Sequence, residues 1–155
     1  MAQRVGAGEH GPWPALDTVR RVVAEVAREA GYRLVVLFGS AARGEPAEDL
    51  DLGILARGPL DAVAATNRLT PALGTQAVDV ADLGRADPLL LMLVARDGVP
   101  LYEASPGEFA RFASLAARRF FDTRKFREVE REMIGEFVAQ HEAGLKSEPR
   151  QGAAG

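Results

Sequence analysis

Two aspartates that follow a glycine-serine turn are the residues of this sequence best suited to chemistry. The turn, Gly39-Ser40, follows the apolar run 33–38, and Asp49 and Asp51 begin an alternating apolar and polar segment ten residues later. Side chains alternate between the two faces of a strand, so Asp49 and Asp51 point the same way, about 7 Å apart, while Leu50 points to the core. Two like charges held together need a positive partner, which a pair of divalent cations would supply.

The turn before these acids has the composition of a phosphate site. Gly39 lets the backbone approach a ligand closely, and the Ser40 hydroxyl adds a hydrogen-bond donor. If residues 41–43 open a short helix, the free N–H groups of that helix attract an anion, and Arg43 adds positive charge. A phosphate cradle followed by a metal-binding acid pair has the parts needed to handle a nucleoside triphosphate.

The elements that must position these residues alternate between helices and strands. The spacing of apolar residues predicts helices over 14–30, 60–73, 88–95 and 106–143, and strands over 33–38, 49–55, 76–83 and 99–102. This order favours an α/β (α+β) domain, in which helices flank a small mixed sheet and a long helical segment follows at the C-terminus. The last helix is expected as one long helix or as two that meet near residues 122–123.

The same pattern predicts the organisation of the chain. We expect a core over residues 14–104 and a C-terminal helical extension of the same domain over 105–145. The ends, residues 1–13 and 146–155, are expected to be disordered tails.

Composition excludes several classes of protein. The chain has 155 residues, which suits one domain, and its formal net charge of -3 argues against bulk or direct nucleic-acid binding. It contains no cysteine, which excludes disulfides, thiol chemistry and cysteine-type zinc sites. The longest apolar run, 88–95, is far shorter than the ~20 residues that span a bilayer. We therefore expect a cytoplasmic protein without a membrane partner.

Two further patterns have competing interpretations. Residues 6–11 match G-x-G-x-x-G, but prolines follow directly and no βαβ unit fits around them, so a dinucleotide site is rejected. Residues 118–127 combine five basic residues with three phenylalanines. The first interpretation is an amphipathic helix whose phenylalanines enter the core, and the second is an interface with a partner. Nucleic-acid binding comes third, because three glutamates follow directly.

Taken together, the turn and the acid pair resemble the signature of the polymerase-β-type nucleotidyltransferase superfamily. The matching residues are Gly39-Ser40, the following Ala42-Arg43-Gly44, and the Asp49-x-Asp51 of the next strand. More narrowly, the chain resembles the minimal nucleotidyltransferase (MNT) proteins, which are antitoxins of HEPN/MNT type VII toxin–antitoxin systems. The resemblance covers about residues 33–121. It departs at Glu48, where the family often has serine or threonine.

This resemblance implies the nucleotidyltransferase fold and a third catalytic carboxylate on the neighbouring strand. Asp79 fits that role by position. Asp82 is the rival, but the odd spacing of three places it on the opposite face of its strand. The resemblance then implies that Asp49, Asp51 and Asp79 are the catalytic residues and hold two Mg²⁺ ions. Nucleotide binding is implied for Gly39, Ser40 and Arg43.

The implied activity is that of a Mg²⁺-dependent protein adenylyltransferase. ATP would be the substrate, and AMP would be attached to a tyrosine of a cognate HEPN toxin, which silences the toxin. One alternative is an adenylyltransferase for a small molecule such as an aminoglycoside. Another is a non-catalytic protein that neutralises its toxin by binding it through the long C-terminal helix.

Overall fold

The computed structural model describes residues 12–147, and residues 1–11 and 148–155 lie outside it. The predicted tails therefore fall largely outside the described residues, as does the G-x-G-x-x-G match. The elements in chain order are α1 (Leu16–Ala30), β1 (Leu34–Phe38), α2 (Gly39–Ala42), β2 (Leu50–Leu55), α3 (Ala62–Leu73), β3 (Val78–Asp82), α4 (Pro88–Asp97), β4 (Val99–Glu103) and α5 (Glu108–Ser147). Each predicted helix and strand is present, with ends that differ by a few residues.

The helix ends follow from local residue chemistry. Asp61 and Asp87 cap α3 and α4, because each carboxylate accepts a hydrogen bond of 3.0 Å from the backbone N–H three residues on. Pro88 occupies the first turn of α4, where its missing N–H costs nothing. α1 ends at Gly31, which takes the left-handed conformation with φ 74°.

The four strands form one mixed sheet in the order β3-β2-β1-β4. β1 is antiparallel to both β2 and β4, whereas β2 and β3 are parallel. Parallel neighbours need a crossover connection, and α3 provides it. The mixed sheet flanked by helices confirms the predicted fold class.

Helices cover both faces of the sheet, and the central strand β1 alternates between two apolar clusters. On β1, Val35 and Leu37 pack into a cluster with α1 and α3, whereas Leu34 and Val36 pack into a second cluster with α4 and α5. Both pairs are buried, which is why the run 34–38 is apolar at every position instead of alternating.

An ion-pair cluster lies where β1 begins. The Arg33 guanidinium donates to Glu108 Oε2 at 3.0 Å, and Ser105 Oγ donates to Glu108 Oε1 at 3.2 Å. Arg111 adds a second cation at 3.4 Å from Oε1. Burial raises the pKa of Glu108, but the hydrogen bond and charge of Arg33, with help from Ser105 and Arg111, hold that pKa below its usual range. The cluster ties the start of α5 to β1.

The described chain divides into two compact units, one through Phe120 and one from Phe121. In the first unit, α5 buries Phe112 and Ala116 against the second apolar cluster. In the second unit, every residue from 128 to 142 is exposed. α5 is a single helix through residues 122–123, so the two-helix alternative is wrong. Phe121 is 56% exposed, so the core interpretation of 118–127 is wrong for that residue. The domain division predicted at residue 105 stays a prediction.

Candidate active site

Asp51 lies near the start of β2, with a strand on either side of it that supplies a phenylalanine and a second aspartate. In the strand register it is opposite Phe38 of β1 on one side and Asp79 of β3 on the other. Its neighbours Leu50 and Leu52 are buried in the first apolar cluster, so Asp51 points to the other face of the sheet. The predicted alternation along β2 is therefore confirmed.

The parallel pairing of β2 and β3 separates the two candidates for a third carboxylate. Asp79 is in register with Asp51, so both side chains leave the same face of the sheet. Asp82 is in register with Ile54, whose side chain is buried on the opposite face. The Asp82 carboxylate also accepts a 2.8 Å hydrogen bond from the Gly84 backbone N–H. The geometry thus brings Asp79, and not Asp82, beside Asp51.

The charge state of Asp51 reflects this crowding of acids. Its pKa is raised above the usual value, first by partial burial and then by the negative charges of Asp79 and Asp49. Arg43 acts in the opposite direction, but its effect is smaller. The three carboxylates named from the sequence therefore lie close enough to interact, and the folded protein holds them together at an energetic cost.

The Asp51 carboxylate also explains why residue 39 is a glycine. Its φ of 72° is in the left-handed region that favours glycine. A Cβ atom at this position would overlap Oδ2 of Asp51 and lie 3.1 Å from Cγ. The sequence predicts a close approach of the Gly39 backbone to a ligand, whereas the structure shows that the close approach is first of all to Asp51.

Arg43 has a partner that the sequence reading missed. Its guanidinium makes two hydrogen bonds to the Glu45 carboxylate, at 3.2 and 3.1 Å, and one of 3.4 Å to Ser40 Oγ. The hydrogen bond to Glu45 and its charge raise the pKa of Arg43. The Arg-x-Glu spacing was the available signal, but two exposed residues two positions apart are common in turns. The short helix α2 does form after β1, as the phosphate hypothesis requires.

The chemistry of the three aspartates fits a hard divalent cation, since carboxylate oxygens are the ligands that Mg²⁺ prefers. Their mutual repulsion at Asp51 is what a bound cation would relieve. Among residues 12–147, however, no three acidic or histidine side chains are already arranged as a metal cluster.

This corner of the sheet is open to solvent. Asp49 and Asp79 are exposed, and Asp51 is half-buried. Three surface cavities in the described chain measure about 280, 410 and 300 Å³, and none of these three has Asp49, Asp51 or Asp79 in its lining. Within residues 12–147, no helix combines the length and apolar content that a membrane span requires.

Comparison with known proteins gives solved structures but no sequence family. No family profile matches the chain, and no curated protein matches it. A toxin–antitoxin complex crystallised with AMP-PNP is similar at 24% identity and a TM-score of 0.61, over 77% of this chain and 98% of that one. A mutant of the toxin–antitoxin pair MntA-HpeT is similar at 26% identity and a TM-score of 0.59, over 77% and 96%. A Shewanella oneidensis structure of a tri-AMPylated HEPN toxin in complex with an MNT antitoxin is similar at 23% identity and a TM-score of 0.58, over 79% and 98%.

These similarities establish the fold. The chain has the nucleotidyltransferase fold, as its sequence motif predicts, and the turn and aspartates occupy one corner of its sheet.

Proposed function

We propose that this chain is an antitoxin that transfers AMP from ATP to a tyrosine hydroxyl of a HEPN toxin. The observation that carries the proposal is the register of Asp51 with Asp79 beside the Gly39 turn. Two of the similar structures support the substrate and the partner, because one contains AMP-PNP and the other an AMPylated HEPN toxin with its MNT antitoxin.

Asp49, Asp51 and Asp79 are the residues that would hold Mg²⁺, and two ions are expected there. The raised pKa of Asp51 supports this, because after burial its causes are the negative charges of Asp79 and Asp49, which an added cation would offset. When bound, the ions would neutralise phosphate charge as it develops during transfer. The protein's own contribution is to hold Asp51 and Asp79 in register on one face of the sheet, with Asp49 directly before β2.

The proposed reaction is an in-line displacement at the α-phosphorus of ATP. The tyrosine oxygen bonds to the α-phosphorus, the bond from this phosphorus to the bridging oxygen breaks, and pyrophosphate leaves with that oxygen. Asp79 would take the tyrosine proton, because it is the exposed acid of the registered pair. We expect much of the rate acceleration to come from holding ATP and the tyrosine hydroxyl in the reactive geometry.

Gly39, Ser40 and Arg43 would bind the departing phosphates. The Ser40 hydroxyl and the Arg43 guanidinium already face each other at 3.4 Å, so one phosphate oxygen could reach both. The Glu45 carboxylate occupies the edge of the guanidinium formed by Nε and Nη2, so it would compete with a phosphate for Arg43.

An open site favours a protein acceptor over a small molecule. Small-molecule sites are usually concave pockets that enclose most of the ligand, and none of the three measured cavities includes Asp49, Asp51 or Asp79 in its lining, although one of them borders the turn at Gly44 and Glu45. A tyrosine on the surface of another protein needs only an accessible corner. We place the reaction in the cytoplasm, where ATP is abundant.

The decisive experiment incubates the full chain with labelled ATP, Mg²⁺ and the protein encoded by its neighbouring gene. Label on a tyrosine of that protein is expected, and none is expected from the double variant Asp49→Asn/Asp51→Asn. A folded wild-type chain that labels nothing would overturn the proposal. If the double variant still protects cells from the toxin, neutralisation is by binding alone.

A further inference from the structure

The last turn of α4 lies on the same face of the sheet as the Asp51 carboxylate. Leu91 and Val94 of α4 pack into the second apolar cluster, which is on the face to which Asp51 points. The helix ends directly against β1, because a Cβ atom at Gly98 would overlap the side chain of Val36. The end of α4 is therefore held in place by packing against the sheet.

The order of the strands places this end of α4 in line with the site. The aspartates belong to β2 and β3, and the turn at Ser40 follows β1. α4 leads into β4, which pairs with β1 on the side away from β2. Val99, the first residue of β4, is opposite Leu37, one residue before the end of β1. A triphosphate whose α-phosphate lies at the aspartates, and whose next phosphate lies at the turn, therefore points towards the end of α4.

A second arginine lies at this end of α4. Arg96 is in the last turn of the helix, and its side chain is 62% exposed. The backbones of α2 and α4 lie close together, and α2 ends at Arg43. The charges of Arg96 and of its neighbour Asp97 act on the pKa of Arg43 in opposite directions, so the two arginines lie within range of each other's charge.

The hydrogen bonds of Arg96 occupy one edge of its guanidinium. Nε and Nη2 donate to the two carboxylate oxygens of Asp97 at 2.9 and 2.7 Å. A guanidinium has five N–H donors in a planar fork, so the end formed by Nη1 and Nη2 can donate to a phosphate oxygen while the pair with Asp97 stays in place. The aspartate also limits the rotation of the guanidinium, which lowers the entropy that binding costs.

We propose that Arg96 binds the outermost phosphate of ATP, next to the phosphates at Ser40 and Arg43, a role that rests on the proposed AMP transfer. The charges favour it, because Glu45 offsets the charge of Arg43, and the phosphates that leave as pyrophosphate carry more negative charge than one guanidinium can match. The carboxyl end of a helix also favours a cation, so α4 stabilises the charged form of Arg96. Arg96 would then make the site prefer ATP over nucleotides with fewer phosphates.

Titration calorimetry with AMP-PNP and with AMP, both with Mg²⁺, tests this role of Arg96. Arg96→Gln is expected to weaken AMP-PNP binding about tenfold and to leave AMP binding within about twofold of wild type, because AMP lacks the outer phosphates. Arg28→Gln is the matched control, since Arg28 is an exposed arginine in the last turn of α1, which leads to the opposite end of β1. Arg96→Lys should lose only about threefold for AMP-PNP, because lysine keeps the charge without the fork.

The role of Arg96 and the proposed transfer reaction fail in different ways. If Arg96→Gln and Arg28→Gln bind AMP-PNP with equal affinity, or if Arg96→Gln weakens AMP and AMP-PNP alike, Arg96 does not bind the outermost phosphate, and the transfer reaction still stands. If the wild-type chain does not bind AMP-PNP, both proposals are wrong. Circular dichroism checks that each variant keeps its helix content, and Arg96→Lys provides the same comparison if Arg96→Gln does not fold.

Discussion

Two charged clusters lie at opposite ends of β1, and their carboxylates are shifted in opposite directions. Where the strand begins, Arg33 and Arg111 surround Glu108 and hold its pKa below the usual range, against the effect of its burial. Where the strand ends, burial and two neighbouring aspartates raise the pKa of Asp51. One cluster pairs opposite charges, and the other gathers like charges.

The two pKa shifts have different consequences. The lowered pKa of Glu108 belongs to a cluster that stabilises the fold, whereas the raised pKa of Asp51 belongs to a cluster suited to binding a ligand. A carboxylate with a lowered pKa adds stability when it is charged, whereas one with a raised pKa costs stability when it is charged. A protein tolerates the second arrangement where a cation is to be bound. Four predictions would sharpen or break this contrast, and they run from the largest expected effect to the smallest.

The largest effect is expected on AMP transfer, when the Asp79 carboxylate beside Asp51 is removed. Asp79→Asn should lower the rate of AMP transfer at least about a hundredfold, because it removes a charge that faces the reacting phosphate. Asp82→Asn is the matched control on the same strand, and its rate should stay within a few-fold of wild type. Transfer is measured with labelled ATP and the toxin. The reverse result would make Asp82 the third carboxylate.

The contact between Gly39 and Asp51 predicts a difference between two glycines of similar conformation. Gly39 and Gly44 have φ values of 72° and 69°, so alanine is strained at both. Gly44→Ala should lower the free energy of unfolding by about 1 kcal/mol, since a Cβ there meets nothing within 4 Å. Gly39→Ala should cost more, about 2–3 kcal/mol, and should slow transfer by less than Asp79→Asn does, because its Cβ displaces the Asp51 carboxylate. Equal losses in urea titrations would show that this contact has no energetic consequence.

At the start of β1, the stability that Glu108 contributes should depend on pH. Glu108→Gln should lower the free energy of unfolding by about 1–2 kcal/mol at pH 7, since it removes the charge that Arg33 pairs with. The folded-state pKa of Glu108 lies below the unfolded value of 4.5, so its contribution is present above pH 4.5 and is lost as pH falls through the folded-state pKa. Urea titrations of both proteins should therefore converge in acid. A difference that stays constant with pH would assign the loss to packing.

The smallest effect is expected where Glu45 competes for Arg43. Glu45→Gln should tighten ATP binding about two- to fivefold, because exposed ion pairs are worth roughly 0.2–1 kcal/mol. Glu25→Gln on α1 makes the same change in net charge at an exposed site far along the sequence, so it serves as the control. Binding is measured by titration calorimetry with a non-hydrolysable analogue. If both variants bind the ATP analogue with equal affinity, Glu45 does not compete with ATP for Arg43.

Much of the fold and part of the site followed from local sequence. The continuous apolar run of β1 and the alternation along β2 fixed which residues face the core, because side-chain direction has a period of two along any strand. Glycine at the end of α1 and aspartates at the starts of α3 and α4 marked the helix ends through backbone hydrogen bonds a few residues away. The same local rule predicts a shared face for Asp49 and Asp51, although β2 begins only at Leu50.

The sequence pattern on α5 showed where an apolar side would lie but not whether it would be covered. Phe112 and Val129 belong to the same periodic pattern, yet Phe112 is 6% exposed and Val129 is 53% exposed. Periodicity reports the geometry of one helix, while burial depends on which other elements or molecules lie against it.

Tertiary structure decided the contacts that join distant parts of the chain. Asp79 meets Asp51 because β2 and β3 pair in parallel in one register, and a slip of one residue would turn Asp79 to the opposite face. Arg33 meets Glu108 across 75 positions of sequence. Sequence alone chose residue types and faces, because these depend on neighbours along the chain. Only the folded sheet set which acids share a corner, because that depends on strand order and register.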